Sequence, residues 1–294
     1  MLTYSKKLNS IANNTNSYLR HIFSKQKSSS QLLHPMKYGI FSGGKRFRSA
    51  IVVNTGKIYG IDYKTLIGIG SAIECIHSYS LIHDDLPSMD DDELRRGKLS
   101  VHKKFNEFTA ILAGNSLLTL AFEILSGNNL KLPQKYKNHL VKTLSECSGH
   151  SGLAGGQYSD LTFENKKISE RSIISMQKKK TGELFGFCCE SIAIIRGENF
   201  NKRKKLREIG INIGLLFQTV DDLIDYKGDS KIVGKPTKRD QKKGKATLIS
   251  LLGYKKTVNF AQNLKKKLDI EIKKYGNKSA DLLDSVKFIL ERKF

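Results

Sequence analysis

Apolar residues recur at three- and four-residue steps along most of this chain, and that spacing limits the folds open to it. Leu66, Ile69, Ile73 and Ile76 form one such series, and a second runs from Leu206 to Leu216. Because this step is the period of an α-helix and the patterns typical of strands are nearly absent, the sequence predicts an all-α protein.

Glycine- and asparagine-rich breaks separate the helical stretches. They fall at Gly60, 126–129, 148–156, Gly197 and Gly228. These breaks predict about ten or more helices. No repeat of fixed period and no linker rich in proline, glycine or serine divides the sequence. We therefore expect one large helical domain over residues 1–294, with a core too long for a simple four-helix bundle.

The chain is strongly basic, with 51 Lys and Arg against 28 Asp and Glu and a formal net charge of +23. Such a charge is compatible with a basic nucleic-acid-binding protein. However, the lysines stand in short runs spread along the sequence, as at 178–180, 202–205 and 265–267. This distribution favours a solvated lysine surface, and we expect no nucleic acid among the partners.

The four cysteines show no metal-binding or CxxC spacing, and two of them, Cys188 and Cys189, are adjacent. Four reduced thiols in a cytoplasmic enzyme are the simplest interpretation. No uninterrupted apolar run reaches the roughly 18 residues of a membrane span. The best candidate, 110–125, contains Asn115 and Glu123 and is expected to form a buried helix. The Ser/Lys-rich N-terminal segment resembles a transit peptide, but its apolar spacing favours an ordinary first helix.

The stretch SLIHDDLPSMDDDELRRG, residues 80–97, places six acidic residues within ten positions, directly before two arginines. Asp84 and Asp85 close an apolar helix. Pro87 disfavours helical geometry at the residue before it, so the chain should turn ahead of Asp90. On a straight helix Asp90 would point about 240° away from Asp84. The turn instead lets these two carboxylates face each other.

A second acidic cluster lies in LFQTVDDLIDYKGD, residues 216–229. Asp221 and Asp225 are four residues apart, and Asp222 is three residues before Asp225, so all three project from one face of a helix. Gln218 belongs to the same stripe. Taken alone, this cluster is better explained as an ordinary solvated helix face.

Both clusters offer only oxygen ligands, with no cysteine or histidine at ligand spacing. Such ligands suit a hard cation such as Mg²⁺, which prefers a few carboxylates plus substrate phosphates to a closed protein cage. The expected substrate is therefore a polyphosphate ester held between two acidic faces by metal ions. Arg95 and Arg96 would then bind phosphate oxygens directly.

Two basic elements complete the pattern. SGGKRFRS, residues 42–49, places Lys45, Arg46 and Arg48 after two glycines and indicates a second anion site, although it lacks the P-loop spacing. KKKTGELF, residues 178–185, places Lys180 and Thr181 at an expected helix break. Each of these signals is weak by itself.

As a set, these residues resemble the trans-isoprenyl diphosphate synthases, most closely the bacterial farnesyl diphosphate synthase type. The resemblance runs in order through MKYGIFSGGKRFR, the first acidic stretch, AILAGNSLLTLAFEIL, GLAGGQYSD, KTGEL, FQTVDDLIDYKGD and GKPTKRDQKKGKATL. It covers essentially the whole chain, and two aspartate-rich motifs at this spacing are highly specific. It implies an all-α isoprenoid synthase fold around a central cavity and a homodimer.

The resemblance also assigns roles to individual residues. It implies three Mg²⁺ ions, with Mn²⁺ as a possible substitute. The metal ligands would be Asp84, Asp90 and Asp221, supported by Asp85, Asp222 and Asp225. The allylic substrate, dimethylallyl or geranyl diphosphate, would be bound by Arg95, Lys180 and Lys235. Isopentenyl diphosphate would be bound by Lys45, Arg48, His77 and Arg96. The implied product is (2E,6E)-farnesyl diphosphate.

The implied chemistry is ionisation, condensation and elimination. Metal ions and cationic side chains would stabilise the departing diphosphate. The catalytic oxygens of Thr181 and Gln218, with the backbone carbonyl of Lys180, would stabilise the allylic carbocation. The released diphosphate would take the proton, so no side-chain base is required.

Product length is expected to be set below the first acidic motif. Tyr79 precedes Asp84 by five residues, about 7 Å deeper along a helix, and Ser80 follows it on the stripe that leads to Asp84. In the family, an aromatic residue here is typical of enzymes that make farnesyl diphosphate. An ordinary core tyrosine and a geranylgeranyl or other short-chain product are the alternatives.

Other functions fit less well. A terpene cyclase would share a DDxxD motif but would lack the GGKRFR element. A non-catalytic regulatory subunit would be expected to have lost one aspartate motif, and both are present. The pair His83-Asp84 suggests a phosphohydrolase, but that site requires further histidines, and His83 is expected to pack at the helix end instead.

Overall fold

The computed structural model describes residues 3–26, 30–227 and 243–292. The chain forms two compact units, one of residues 1–56 and 61–141, the other of residues 57–60 and 142–294. The all-α prediction is confirmed, with more than ten helical segments. Among the described residues the only strands are two of two residues each. The single domain and the central cavity stay predictions.

The first unit is built around two long helices. Its elements are α1 (Tyr4–Ser24), α2 (Leu33–Ile40), α3 (Phe47–Ile58), α4 (Tyr63–Asp84), β1 (Leu94–Arg95), β2 (Lys98–Leu99), α5 (Val101–Lys104), α6 (Glu107–Ser126) and the first part of α7 (Gln134–Ser148). The last residues of α3 and the second part of α7 belong to the other unit. Helices α4 and α6 pack along each other. Each begins at a side-chain cap: Asp62 accepts from the Thr65 N–H at 2.9 Å, and Asn106 from the Thr109 N–H at 2.9 Å.

The second unit is centred on the longest helix of the described chain. Its elements are α8 (Leu153–Thr162), α9 (Glu170–Gln177), a π-helical turn (Lys178–Gly182), α10 (Glu183–Ile195), α11 (Phe200–Lys227), α12 (Leu248–Leu252), α13 (Tyr254–Lys273), a 3₁₀ turn (Asn277–Ser279) and α14 (Ala280–Glu291). Helix α10 is buried along its whole length and packs on α11.

Glycines allow the backbones in this unit to approach closely. A Cβ on Gly210 or Gly214 of α11 would clash with the backbone between Gly182 and Gly186. A Cβ on Gly156 of α8 would clash with the backbone of Lys179 and Lys180. The π-helical turn is therefore in direct contact with both helices, which holds its side chains in place.

The predicted helix breaks are confirmed where the structure describes them. Helices end at Ile58, Ser126, Ser148 and Ile195, and the break expected at Gly228 lies outside the described residues. The prediction of a helix break at Lys180 and Thr181 is wrong, because the chain there continues from α9 to α10 through the π-helical turn. A π turn inserts one extra residue without ending the helix.

Helix α6 is less buried than its composition suggests. Phe108, Ile111 and Leu112 are exposed to 67%, 42% and 49%, so the part of the chain that the structure describes leaves one apolar face of this helix uncovered. Within the described residues, α4 and α6 are long and apolar enough by length and composition to cross a membrane. This is weak evidence for a span, because buried core helices share those properties and α4 is mostly buried.

Candidate active site

The first acidic motif forms a tight turn at the end of α4. The helix ends at Asp84, and the backbone N–H of Asp90 then donates to the Asp84 carbonyl at 2.8 Å. A second backbone bond follows, in which the Asp92 N–H donates to the Asp85 carbonyl at 3.1 Å. Asp84 and Asp90 are both half-buried. The predicted turn is present, and it makes these two residues neighbours.

Asp85 faces the protein interior and is paired with Arg95. The carboxylate is only 2% exposed and accepts from Nε of Arg95 at 2.9 Å, with a second contact to its Nη2. Asp92 lies 3.3 Å from the same Nη2. Burial raises the pKa of Asp85, and Arg95 opposes that rise. Arg95 therefore supplies positive charge within the acidic turn, which lowers the repulsion among its carboxylates.

Arg95 and Arg96 diverge although they are adjacent. Strands β1 and β2 form a hairpin whose two turn residues, Arg96 and Gly97, have φ of 54° and 75°. This turn directs Arg96 to the glycine loop of the GGKRFR element, where its Nη1 donates to the Gly43 carbonyl. A Cβ on Gly44 would clash with the Arg96 guanidinium. The double glycine is therefore required for this contact.

The three basic residues of GGKRFR point in different directions. Arg46 has φ of 47° and is only 3% exposed; its Nε donates to Asn16 Oδ1 at 2.9 Å, and its Nη1 lies 3.7 Å from Glu74. Lys45 is exposed and Arg48 is half-buried. Arg46 is thus a structural residue, while its two neighbours remain nearer to solvent.

His77 lies in the field of these arginines. Burial lowers the pKa of His77 well below its usual value, and Arg48 and then Arg96 lower it further. The imidazole is therefore neutral at pH 7. Four residues are expected to bind isopentenyl diphosphate. Three of them interact electrostatically in this unit, namely His77, Arg48 and Arg96.

The expected chain-length residues lie on α4, below the acidic turn. Tyr79 is half-buried, with its ring edge-on to His83 at 5.4 Å between centroids. Ser80 is buried and donates to the His77 carbonyl at 3.0 Å. His83 lies 3.1 Å from the Ile111 carbonyl and fills the space over Gly114. The prediction that His83 packs at the helix end is confirmed.

In the second unit, four side chains form a hydrogen-bonded series. Thr181 Oγ1 donates to Gln218 Oε1 at 2.9 Å, and Gln218 Nε2 donates to Asp222 Oδ1 at 2.8 Å. Gln177 Nε2 donates to Asp222 Oδ2 at 2.7 Å. Asp222 is only 3% exposed. Because both of its oxygens accept amide protons, it orients Gln218, whose oxygen is turned towards Thr181.

The other two acids of the second motif differ in exposure. Asp225 is buried at 6%, whereas the Asp221 side chain is 37% exposed. Asp221 Oδ1 accepts from Nη1 of Arg292 at 2.6 Å. Arg292 also donates to the Phe217 carbonyl at 3.0 Å, and its guanidinium lies 4.0 Å from the centre of the Phe217 ring. Asp221 is the most accessible carboxylate of this motif.

Lys180 sits on the π-helical turn and is bonded to Asp160 of α8, with 2.6 Å between Nζ and Oδ2. Lys245 donates to the same oxygen at 2.8 Å. Lys235, expected to bind the allylic diphosphate, lies outside the described residues. Asp160, Lys245 and Arg292 were not among the predicted site residues. Asp160 and Lys245 stand in the quoted motifs GLAGGQYSD and DQKKGKATL, which was the available signal.

The aspartates of both motifs offer the oxygen ligands that Mg²⁺ prefers. Within the described residues, no group of three or more Asp, Glu, His or Cys side chains already converges on one point. Asp84 and Asp90 in the first unit are half-buried carboxylates, and the Asp221 side chain in the second unit is 37% exposed. Such ligands fit Mg²⁺, which keeps several waters and binds through one or two carboxylates plus substrate phosphates.

Comparison with known proteins assigns the family. A family model described as polyprenyl synthetase matches residues 29–285. The chain belongs to the polyprenyl synthetase family. Farnesyl diphosphate synthase from Escherichia coli strain K12 is 38% identical over 252 residues, which cover 85% of this chain and 84% of that relative.

Solved structures of other polyprenyl synthetases are similar along nearly the whole chain. A farnesyl/geranylfarnesyl (FPP/GFPP) synthase from Zymomonas mobilis is 36% identical with a TM-score of 0.85, covering 96% of this chain and 99% of that one. A geranyltransferase from Helicobacter pylori, complexed with magnesium and isoprenyl diphosphate, is 30% identical with a TM-score of 0.81 and 96% coverage of both chains. The isoprenyl synthase fold implied by the motifs is thereby confirmed.

Proposed function

We propose that this protein condenses isopentenyl diphosphate with dimethylallyl diphosphate and then with geranyl diphosphate, to form (2E,6E)-farnesyl diphosphate. The observation that carries the proposal is the first unit's juxtaposition of an acidic turn, at Asp84 and Asp90, with a hairpin that directs Arg96 to the glycine loop. The carboxylates proposed to bind metal ions are thus followed closely in the sequence by Arg96, a cation proposed to bind the second diphosphate. Similarity to farnesyl diphosphate synthases over most of the chain supports the same function.

The two substrates would use different cations. Isopentenyl diphosphate is assigned to Lys45, Arg48, His77 and Arg96. His77 would act there as a neutral hydrogen-bonding group, because its pKa is lowered by burial and by the arginines. The allylic diphosphate is assigned to Lys180, Lys235 and Arg95. Asp85 already pairs with Arg95, so that guanidinium has a fixed position before the substrate arrives.

Mg²⁺ would be held by Asp84, Asp90 and Asp221, with three ions as the expected number and Mn²⁺ as a substitute. When bound, Mg²⁺ supplies positive charge that stabilises the diphosphate leaving group. Asp85 and Asp222 are assigned supporting roles, because each is buried and accepts hydrogen bonds from a neighbouring side chain. Asp225 is assigned a supporting role on its burial alone.

The reaction would begin when the C–O bond of the allylic diphosphate breaks and the diphosphate leaves with the electron pair. The double bond of isopentenyl diphosphate attacks the allylic cation and forms the new C–C bond. A proton then passes to the released diphosphate, and the new double bond forms. The Gln218 oxygen, oriented by Asp222, and the Thr181 oxygen would stabilise the cation before it is attacked.

The assembly and location of the enzyme belong to the same proposal. The exposed apolar face of α6, with Phe108, Ile111 and Leu112, is suited to burial against a second copy in a homodimer. Light scattering of the purified protein should therefore give twice the 33.1 kDa chain mass. A cytoplasmic location fits the four buried cysteines, which form no disulfide.

Product analysis tests the proposal. The purified protein would be incubated with Mg²⁺, isopentenyl diphosphate and dimethylallyl diphosphate, and the dephosphorylated alcohols separated by chromatography. Farnesol as the main product is expected. Geranylgeraniol as the main product would support the proposed reaction but contradict the assignment of Tyr79 as the residue that sets chain length. No elongation, in a protein that is folded by circular dichroism, would contradict the proposed function.

A further inference from the structure

One buried carboxylate in the second unit is shared by two lysines. Asp160, on α8, is only 6% exposed, and its Oδ2 accepts from Lys180 at 2.6 Å and from Lys245 at 2.8 Å. The Lys245 side chain is itself 8% exposed and lies 3.4 Å from Glu164 Oε1. Removing charged groups from water costs free energy even when they are paired, which suggests that this cluster has a role beyond stability.

The place of Asp160 is determined by helix packing. Gly156 brings α8 against the backbone of Lys180, and Asp160 follows four residues later, on the same face of α8. The carboxylate therefore stands beside the π-helical turn, within reach of the Lys180 ammonium. Both partners are attached to backbone segments in direct contact, so the distance between them has little freedom.

The charges explain why two lysines are present. Burial raises the pKa of Asp160, but Lys180 and Lys245 outweigh that effect, so its pKa is lowered and the group is ionised at neutral pH. A single lysine on Asp160 would be neutralised by it. The second lysine shares the charge of Asp160, so Lys180 does not neutralise that carboxylate alone. Glu164 lies 3.4 Å from Lys245, so the two lysines and two carboxylates together carry no net charge.

We infer that Asp160 is a positioning residue for the diphosphate-binding cation Lys180, and that Lys245, by sharing the same oxygen, prevents Asp160 from fully neutralising the Lys180 ammonium. This inference rests on the proposed function, since it takes Lys180 as a ligand of the allylic diphosphate. The carboxylate holds the Lys180 ammonium in one place, so the substrate does not have to order a long, flexible side chain.

Asp160→Asn tests the inference, because asparagine keeps the shape but removes the charge. We expect its KM for geranyl diphosphate to rise about tenfold, while its KM for isopentenyl diphosphate changes little. The alkaline limb of its pH profile should move to lower pH, because the anion that favours the protonated ammoniums is gone. A merely structural role would not move that limb. Thermal melting would verify that the variant is folded.

Glu190→Gln provides a matched control. Glu190 is also a buried carboxylate of this unit shared by two cations, with Arg203 at 2.9 Å and Arg207 at 2.8 Å. Its substitution should leave the KM values and the pH profile unchanged at a temperature where the variant is folded. Lys245→Gln provides a second variant. It leaves Lys180 in place but neutralised by Asp160, so the affinity for Mg²⁺-pyrophosphate, measured by calorimetry, should fall several-fold.

The outcomes separate the inference from the proposed function. If Asp160→Asn binds Mg²⁺-pyrophosphate as tightly as the parent or more tightly, Asp160 does not position Lys180 for binding and the inference is overturned. Elongation by the parent protein tests the proposed function separately. A parent protein that neither elongates nor binds Mg²⁺-pyrophosphate would overturn both.

Discussion

The ion pair between Arg292 and Asp221 leads to a prediction about metal binding. Asp221 is the accessible carboxylate of the second motif, yet its Oδ1 already accepts from Arg292 at 2.6 Å. A metal ion that binds this oxygen must compete with the guanidinium. Arg292→Gln should therefore strengthen metal binding, although the substitution removes a favourable contact from the protein.

The size of the effect follows from exposure. The Arg292 side chain is 14% exposed and the Asp221 side chain 37%, so the pair is partly screened. We therefore assign the Arg292–Asp221 pair about 1 kcal/mol, a value between those typical of exposed ion pairs and of buried hydrogen bonds to charged groups. Removing the competitor should thus tighten metal binding about fivefold. The contact of Arg292 with the Phe217 ring adds about 0.5–1 kcal/mol, so the free energy of unfolding should fall by about 1–2 kcal/mol.

Mn²⁺ titration followed by electron paramagnetic resonance, without any diphosphate present, would measure the affinity. The difference between parent and variant should shrink at high salt, because salt screens the pair. Lys287→Gln is the matched control, since Lys287 forms only an exposed pair with Glu291 at 3.6 Å. Equal Mn²⁺ affinity of parent and Arg292→Gln, with the control also unchanged, would refute the reasoning.

Three further predictions concern the rest of the site. Asp84→Ala or Asp221→Ala should lower turnover by orders of magnitude while the protein remains folded by circular dichroism; near-normal turnover in either variant would contradict the metal assignment. Tyr79→Ala should lengthen the product, as seen by chromatography of the alcohols, and an unchanged product would place the chain stop elsewhere. Burial, and then Arg48, lowers the pKa of His77 well below its usual value, so below about pH 6.5 the unfolded chain takes up a proton that the folded state refuses. The contribution of neutral His77 to the free energy of unfolding is therefore complete above that pH and decreases below it. Between pH 7 and pH 5.5, urea unfolding should show a smaller loss of stability for His77→Asn than for the parent. An equal or greater loss in the variant would argue against a neutral His77.

The acidic turn was predictable from the sequence because its causes are local. Pro87 ends helical geometry one residue after Asp85, and the aspartates on either side are then brought together by the backbone. The one-sided cluster on α11 was predictable for a similar reason, since helical spacing alone places Gln218 and Asp222 next to each other.

Other features depend on contacts between distant residues or on backbone conformation. Nothing in GGKRFR indicates that Arg46 turns inward, because this follows from its positive φ and from Glu74. The pairing of Asp160 with Lys245 joins residues 85 positions apart. The apolar composition of α6 predicted burial, but composition does not reveal whether cover comes from the same chain or from outside it.

The π-helical turn at Lys178–Gly182 has a consequence for insertions and deletions in this family. Deleting one residue within it would restore an unbroken α-helix from α9 to α10, with better local hydrogen bonding. Because the π turn accommodates its extra residue locally, this deletion would leave α9 and α10 close to their present orientation and would displace only the residues of the turn itself. Lys180 or Thr181 would then face away from Asp160 or Gln218. Helical geometry tolerates the loss of one residue from this turn. The loss of one codon there would nevertheless separate the proposed catalytic groups.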